Sequence, residues 1–303
     1  MLKSLLLHMS ESPRLQRFAT NASFSRKTAR RFVAGETTSE GIQAVKDLNA
    51  RKFSATLDNL GESVNTTEKA TEASDEYLRA VDAIHESKVD CNVSLKLTQF
   101  GLVLDEDFCR QNVERVVQRA KQYNNFVRID MEGSNVTDAT IRVFRNLFDQ
   151  YGNVGIVFQA YLFRTQKDIE ETLQQKARIR LCKGAYKEPP DISFKNKSDT
   201  DSNYVKLMKI LLKSGIYHGI ATHDPNMINA TKQFVTQEKI GHDEFEFQML
   251  YGIRRDLQEQ LIRDGYRVRI YVPYGAEWYS YLMRRMAERP ANLMFVARNF
   301  FRG

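Results

Sequence analysis

From residue 53 onward, eight short runs rich in β-branched and aromatic residues recur, each followed by a polar junction and a helical stretch. The runs occupy residues 53–60, 92–97, 126–132, 155–162, 178–183, 217–223, 245–250 and 267–274. Strands separated by helices cannot pair as tight hairpins; each crossover returns the chain parallel to the strand before it. Eight such units close a (βα)₈ barrel of the TIM type. The intervening stretches are amphipathic: 105–123 aligns Phe108, Val113, Val116, Val117 and Ala120, and 137–151 aligns Ile141, Phe144, Leu147, Phe148 and Tyr151. Residues 203–213 and 226–237 continue the alternation. Asp105 and Thr137 are expected N-caps. The polar segment 187–203, with Pro189-Pro190, reads as a lid-like loop after the fifth strand. An open doubly wound sheet is the alternative, but no strand is followed by G-x-G-x-x-G or by a P-loop. Residues 1–50 read as an N-terminal helical segment packed outside a catalytic barrel domain of residues 51–303.

The 303 residues suffice for one large barrel, and 42% hydrophobic content supplies its core. A net charge of +7 points to anionic ligands or an acidic membrane surface. It argues less for nucleic acid, because Lys and Arg alternate with Asp and Glu and no recognition motif is present. Cys91, Cys109 and Cys182 lie far apart, which excludes a disulfide framework and suits a reducing cytoplasm. No stretch reaches the roughly 18 apolar residues of a membrane span. Nor does Met-Leu-Lys-Ser-Leu-Leu-Leu-His at the start form a signal peptide.

In such a barrel, function resides at the C-terminal ends of the strands. Those ends carry Lys96, Asp130, Gln159, Arg180 with Lys183, His223, Gln248 and Tyr271. One polar residue at a strand end usually meets solvent. Seven strands doing so form a polar cup, expected to sit over an apolar barrel. Its balance is cationic, so a carboxylate or phosphate ligand suits it. No metal site is expected, because His218 and His223 are five apart on one strand. A hydrolase nucleophile elbow is absent. Cys182, inside a strand, reads as an inert thiol. Lys96 could serve a Schiff-base aldolase acting on an anionic small molecule, and that alternative stays open here.

Near the end, Tyr281, Arg284, Arg285 and Glu288 fall at helical positions 0, +3, +4 and +7, on one face. Adjacent guanidinium groups persist most easily opposite an anion. A solvated basic face relieved by an Arg284–Glu288 pair is the plainer alternative.

Several motifs occur together and in one order: Thr56-Leu-Asp-Asn-Leu-Gly-Glu62, Val93-Ser-Leu-Lys96, Ile129-Asp130, Arg180-Leu-Cys-Lys-Gly-Ala-Tyr186, Ala221-Thr-His-Asp224, Phe245-Glu-Phe-Gln-Met-Leu250 and Tyr281-Leu-Met-Arg-Arg-Met-Ala-Glu-Arg-Pro-Ala-Asn292. With these the chain resembles the proline dehydrogenases, in their short bacterial monofunctional form. The resemblance implies a distorted barrel whose final helix, residues 277–289, lies over the mouth. It implies FAD as cofactor, L-proline as substrate, and hydride transfer to give Δ1-pyrroline-5-carboxylate. A membrane quinone would take the electrons, so the protein would be cytoplasmic and peripheral on the inner face of the cell membrane.

By the same resemblance Asp130 and Arg180 are catalytic. Lys96, Arg284, Arg285, Tyr271, Tyr281, Leu250 and Glu288 would bind proline. Met131, Gln159, Arg180, Lys183, Gly184, Ala185, Thr222 and His223 would bind FAD. A Glu62–Arg284 ion pair would gate the pocket, so Glu62→Ala should raise KM for proline. By that resemblance Cys182 stands where a valine is common, and Asp224, which is given no role, stands where some relatives have an asparagine.

Overall fold

The computed structural model describes residues 30–61, 64–279 and 281–283. Eight parallel strands close in sequence order: β1 (Ser54–Asn59), β2 (Cys91–Leu95), β3 (Val127–Ile129), β4 (Val154–Gln159), β5 (Ile179–Cys182), β6 (His218–Ala221), β7 (Phe245–Leu250) and β8 (Val268–Tyr274). The barrel therefore stands, and the open sheet is excluded. Before β1 lies helix α1 (Thr38–Asn49). Seven more follow β1 to β7: α2 (Thr67–Ser87), α3 (Glu106–Gln122), α4 (Thr137–Tyr151), α5 (Thr165–Gln174), α6 (Lys197–Lys213), α7 (Pro225–Glu238) and α8 (Arg255–Arg263).

Helix α1 explains how the chain can spare its last helix from the outer ring. Ile42, Val45 and Leu48 join the same apolar core as the strands, and Gly41 lies against Leu57 of β1 and Tyr274 of β8. It thus fills the seam between the first and last strands, where a helix after β8 would otherwise pack. A new helix begins at Trp278. Its Trp278, Tyr279, Tyr281, Leu282 and Met283 form a second cluster with Phe32, Val33 and Leu60. Since Leu60 immediately follows β1, this helix starts at the C-terminal rim. Trp278 Nε1 donates to Glu36 across the cluster (3.1 Å).

Two local expectations shift. Asp105 caps α3 by accepting from the Phe108 amide at 2.7 Å, as its residue type favours. Thr137 is already inside α4; the cap position is Val136, which makes no side-chain cap bond, and the Thr137 hydroxyl turns back to Gly133. Helix α6 starts at Lys197, so the loop after β5 is shorter than the polar composition of 187–203 suggested. It is also fastened. Phe163 and Ile192, and Phe194 and Tyr161, bond through their backbones, and Phe163 meets Phe194 edge-on at 4.8 Å.

The larger correction concerns the barrel interior, which is not apolar. Alternation along each strand sends Ala55, Leu57, Val93, Leu95, Val127, Ile129, Ile179 and Leu181 outward into the helices, where all are buried. The inward set is Thr56, Asn92, Arg128, Arg180, Glu246, Gln248 and Arg269, a polar column linked by hydrogen bonds. Thr56 and Arg269 both bond Asn92 Oδ1, at 2.6 and 3.1 Å. Arg269 pairs with Glu246 at 2.7 Å, and Gln248 donates to Glu246 at 2.6 Å. Buried polar groups survive only when satisfied. This column is satisfied largely by itself.

His218 shows how strictly protonation states are set. Its Nδ1 accepts from the Ile179 amide at 3.0 Å, and its Nε2 faces Ser214 Oγ, also at 3.0 Å. Burial, then the nearby Arg128 charge, pulls its pKa down to about 3. An unfolded histidine titrates near 6.5, so below that pH the unfolded state binds the extra proton. Stability should therefore fall as the pH drops from about 6.5 toward 3, by at most about 1.4 kcal/mol for each pH unit crossed. His218→Gln should show a shallower pH dependence in urea unfolding over that window; an identical slope would contradict the assignment.

Candidate active site

Asp130 is the centre of the cup. The β2–β3 ladder extends one residue past β3 through its amide, which donates to Leu95 O at 2.8 Å, and this fixes where its carboxylate stands. Oδ1 accepts from Arg180 NH1 at 2.7 Å and from Ser94 Oγ at 2.7 Å; Oδ2 accepts from the Tyr271 hydroxyl at 2.7 Å. Four strands thus meet at one carboxylate. Arg180 is held again from below, where its Nε donates to Gln248 Oε1. Its guanidinium lies 5.3 Å from the Tyr271 ring centre. Burial, then Asp130, keeps the Tyr271 phenol well above its ordinary pKa, so it remains a donor. Arg180 NH2 has no protein acceptor among the described residues, which leaves that edge for a ligand.

Lys96 ends β2, and its ammonium donates to Asp58 Oδ1 at 2.8 Å. Asp58 is 1% exposed and also receives the Tyr77 hydroxyl at 3.3 Å. Burial opposes the charge on Lys96, but Asp58 and Asp130 outweigh it and raise the pKa. The group is a fixed cation. An ammonium engaged by a buried carboxylate suits the binding of an anion better than nucleophilic attack. Among the described residues Asp58 takes one of three ammonium donors, and two are left for an anion.

The remaining expected positions gather round the same mouth. His223 Nε2 accepts from the Leu250 amide at 2.8 Å, which puts its ring proton on Nδ1 as a donor. Gln159 and Met131 are buried, with Gln159 donating to Glu132 O at 2.9 Å. Thr222 is buried as well, its amide donating to Gln248 O at 3.1 Å. Gly184 has φ +115°, and an added Cβ would lie 2.1 Å from the Tyr161 ring. Only glycine allows that approach. Ala185 is exposed next to it. Lys183 differs from expectation in its charge. It bonds Asp201 and Asp224 (2.7 Å to the latter), and Lys197 reaches the same two carboxylates, so two cations and two anions cancel locally. Asp224 supplies one of the two anions. Burial pushes the Cys182 thiol up to about 12, in keeping with an inert side chain.

Tyr281 is buried at the start of the final helix. Glu62, Arg284, Arg285 and Glu288 lie outside the described residues, and with them the gate and the paired arginines. Sequence reasoning missed Asp58, Ser94 and Tyr77, and named Gln248 without a role. Asp58 stood inside a quoted motif; its alternation with Thr56 along one strand was the available signal.

Removing Asp58 should strand Lys96, while the Tyr77 hydroxyl keeps its 2.8 Å bond to Ser94 O. Asp58→Ala is expected to cost about 3–5 kcal/mol in urea unfolding, the range for breaking a buried pair from one side. Asp58→Asn, which still accepts from Tyr77, should cost less. Equal, small losses in both would contradict the pairing.

A family model described as proline dehydrogenase matches residues 41–298. Proline dehydrogenase 1 of Bacillus subtilis (strain 168) is 42% identical over 302 residues, covering 100% of both chains. The proline dehydrogenase of Deinococcus radiodurans is 40% identical over 306 residues, covering 99% of this chain and 98% of that one. Among solved structures, proline utilization A from Bdellovibrio bacteriovorus inactivated by N-propargylglycine aligns with TM-score 0.82 and 25% identity over 87% of this chain. Proline utilization A from Corynebacterium freiburgense, at 19% identity over 98% of this chain and TM-score 0.76, shares the fold. The chain spans about a third of those two structures, 33% and 34% of their lengths. Matched along nearly its whole length, the chain belongs to the proline dehydrogenase family.

Proposed function

We propose that this protein oxidises L-proline to Δ1-pyrroline-5-carboxylate, the first step of proline breakdown to glutamate, with FAD as cofactor and a membrane quinone as final electron acceptor. The observation that carries this reading is the Asp130–Arg180 pair at the strand ends of a barrel that is similar over its full length to proline dehydrogenases. Among the described residues no helix is long and apolar enough to cross a membrane, so contact with a quinone pool would be peripheral.

The residues present fit a flavin. The NH2 of Arg180 is a donor at the mouth, where Gly184 carries no side chain and His223 is fixed through its Nε2 by the Leu250 amide. Met131, Gln159, Lys183, Ala185 and Thr222 complete the set that would hold it. When bound, FAD supplies the acceptor for the hydride that leaves proline C5, while a proton leaves the amine.

The chain's own part is to place and screen. Lys96, held as a cation by Asp58, meets the substrate carboxylate with its two remaining donors. Arg284 and Arg285 would join it, and Glu288 with Glu62 would tune the closing helix. Tyr271, Leu250 and Tyr281 supply the apolar walls that fix the ring and exclude water. Asp130 does not face the substrate as a loose base. It receives three donors and so fixes the plane of Arg180, and orientation of this kind is a large share of what such a site contributes.

Purified enzyme should be yellow, with absorbance at about 450 nm that anaerobic L-proline bleaches. Tyr271→Phe, which removes one charge-assisted bond to Asp130, should lower kcat/KM by roughly 10–100-fold, equivalent to about 1.5–3 kcal/mol. A protein that takes up no FAD, or a flavin that proline leaves oxidised, would end this reading. Borohydride trapping of a substrate on Lys96 would favour the aldolase.

A further inference from the structure

The N-terminal end of the barrel, opposite the mouth, holds a cavity of about 100 Å³ that the reaction does not use. That is roughly three waters, at ~30 Å³ each, or one small polyatomic ion. Four arginines line it: Arg128, Arg178, Arg180 and Arg269. Arg269 is matched by Glu246 and Arg180 by Asp130, both at 2.7 Å. Arg128 and Arg178 have no carboxylate within ion-pair reach among the described residues. The one other carboxylate on the wall is Asp90, exposed and accepting from Ser54 Oγ at 2.6 Å. The lining is net positive.

What holds the two arginines is aromatic. The Arg128 guanidinium lies 4.8 Å from the centre of the Phe126 ring, and Arg178 lies 5.4 Å from the same ring and 5.5 Å from that of Tyr217. Arg267 also lies over the Tyr217 ring, at 5.7 Å. Aromatic faces position a cation without cancelling its charge. Arg128 is 5% exposed and uses only NH1 on protein, donating to Ile156 O at 3.1 Å and Arg178 O at 2.6 Å. Its Nε and NH2 have no protein acceptor among the described residues. Neither is among the sealed, unsatisfied polar atoms of the interior, and Arg128 lines the cavity. Buried charge without a counter-charge is costly. Burial, then the neighbouring Arg180, holds Arg128 well below the ordinary arginine pKa.

We propose that this cavity binds one small oxyanion of the phosphate or sulfate kind between the guanidinium forks of Arg128 and Arg178. Two planar forks on one small cavity match the bidentate geometry of an oxyanion better than that of a spherical ion. Occupancy stabilises the barrel from the end opposite the substrate mouth, in the same column of charge that reaches Arg180.

The test is thermal unfolding of the FAD-loaded enzyme titrated with inorganic phosphate, chloride being used to hold ionic strength constant. Tm should rise saturably, by about 2–4 °C once phosphate is near ten times its Kd. Arg178→Gln should abolish the rise; its side chain is exposed, so the fold should tolerate the change. Lys96→Met, at the opposite mouth, should keep it. No rise, or a non-saturating rise equal in wild type and Arg178→Gln, would overturn the proposal. So would a rise lost in Lys96→Met and kept in Arg178→Gln, which would put the phosphate in the substrate site.

Discussion

The ion pair between Asp130 and Arg180, 2.7 Å long and nearly sealed from solvent, is the contact on which the rest of the structure depends. Breaking such a pair from one side leaves a buried charge, which costs far more than the pair contributes. The barrel therefore surrounds it with groups that cannot be removed singly. Ser94 comes from β2, Gln248 from β7 and Tyr271 from β8. The same contacts that satisfy the charges also aim the guanidinium at the mouth. Stability of the interior and geometry of the site are one arrangement.

Two interiors divide the work. Apolar side chains facing outward from the strands pack against the helices and supply the hydrophobic stabilisation. Polar side chains facing inward form a column running from the N-terminal end to the cup. Helix α1 closes the seam between β1 and β8, so the chain beyond β8 can turn onto the C-terminal rim, where Tyr281 is already buried against Phe32 and Leu60. A helix starting at the rim stands nearer the mouth than an outer-ring helix would.

Much of this was legible in the sequence. Eight β-rich runs alternating with amphipathic stretches identify the barrel because parallel strands need long crossovers, and the polar strand ends locate the cup. The interior was not legible. Thr56, Asp58, Asn92, Arg128, Glu246 and Arg269 alternate with apolar residues as the solvent face of any strand would, and one strand alone cannot tell water from a polar column. The answer comes from partners on other strands, such as Asn92 meeting both Thr56 and Arg269. Helix α6 was read as starting late because its first turns carry Ser198, Asp199 and Asp201, residues typical of loops, while Asp201 is engaged by Lys183 and Lys197. The neutralised state of Lys183 was hidden for the same reason: Asp201 and Asp224 are distant in sequence from it and from each other.

If the column aims the site, then disturbing it below the substrate must slow the chemistry. Gln248→Leu removes the acceptor for Arg180 Nε and touches neither Asp130 nor Lys96. Stopped-flow reduction of the bound flavin by saturating L-proline measures the effect directly. The limiting rate should fall by roughly tenfold or more, the loss of about 1.4 kcal/mol or more of orientation, with the oxidised flavin spectrum unchanged. An unaltered limiting rate would show that Arg180 is aimed from the mouth alone and would contradict the account.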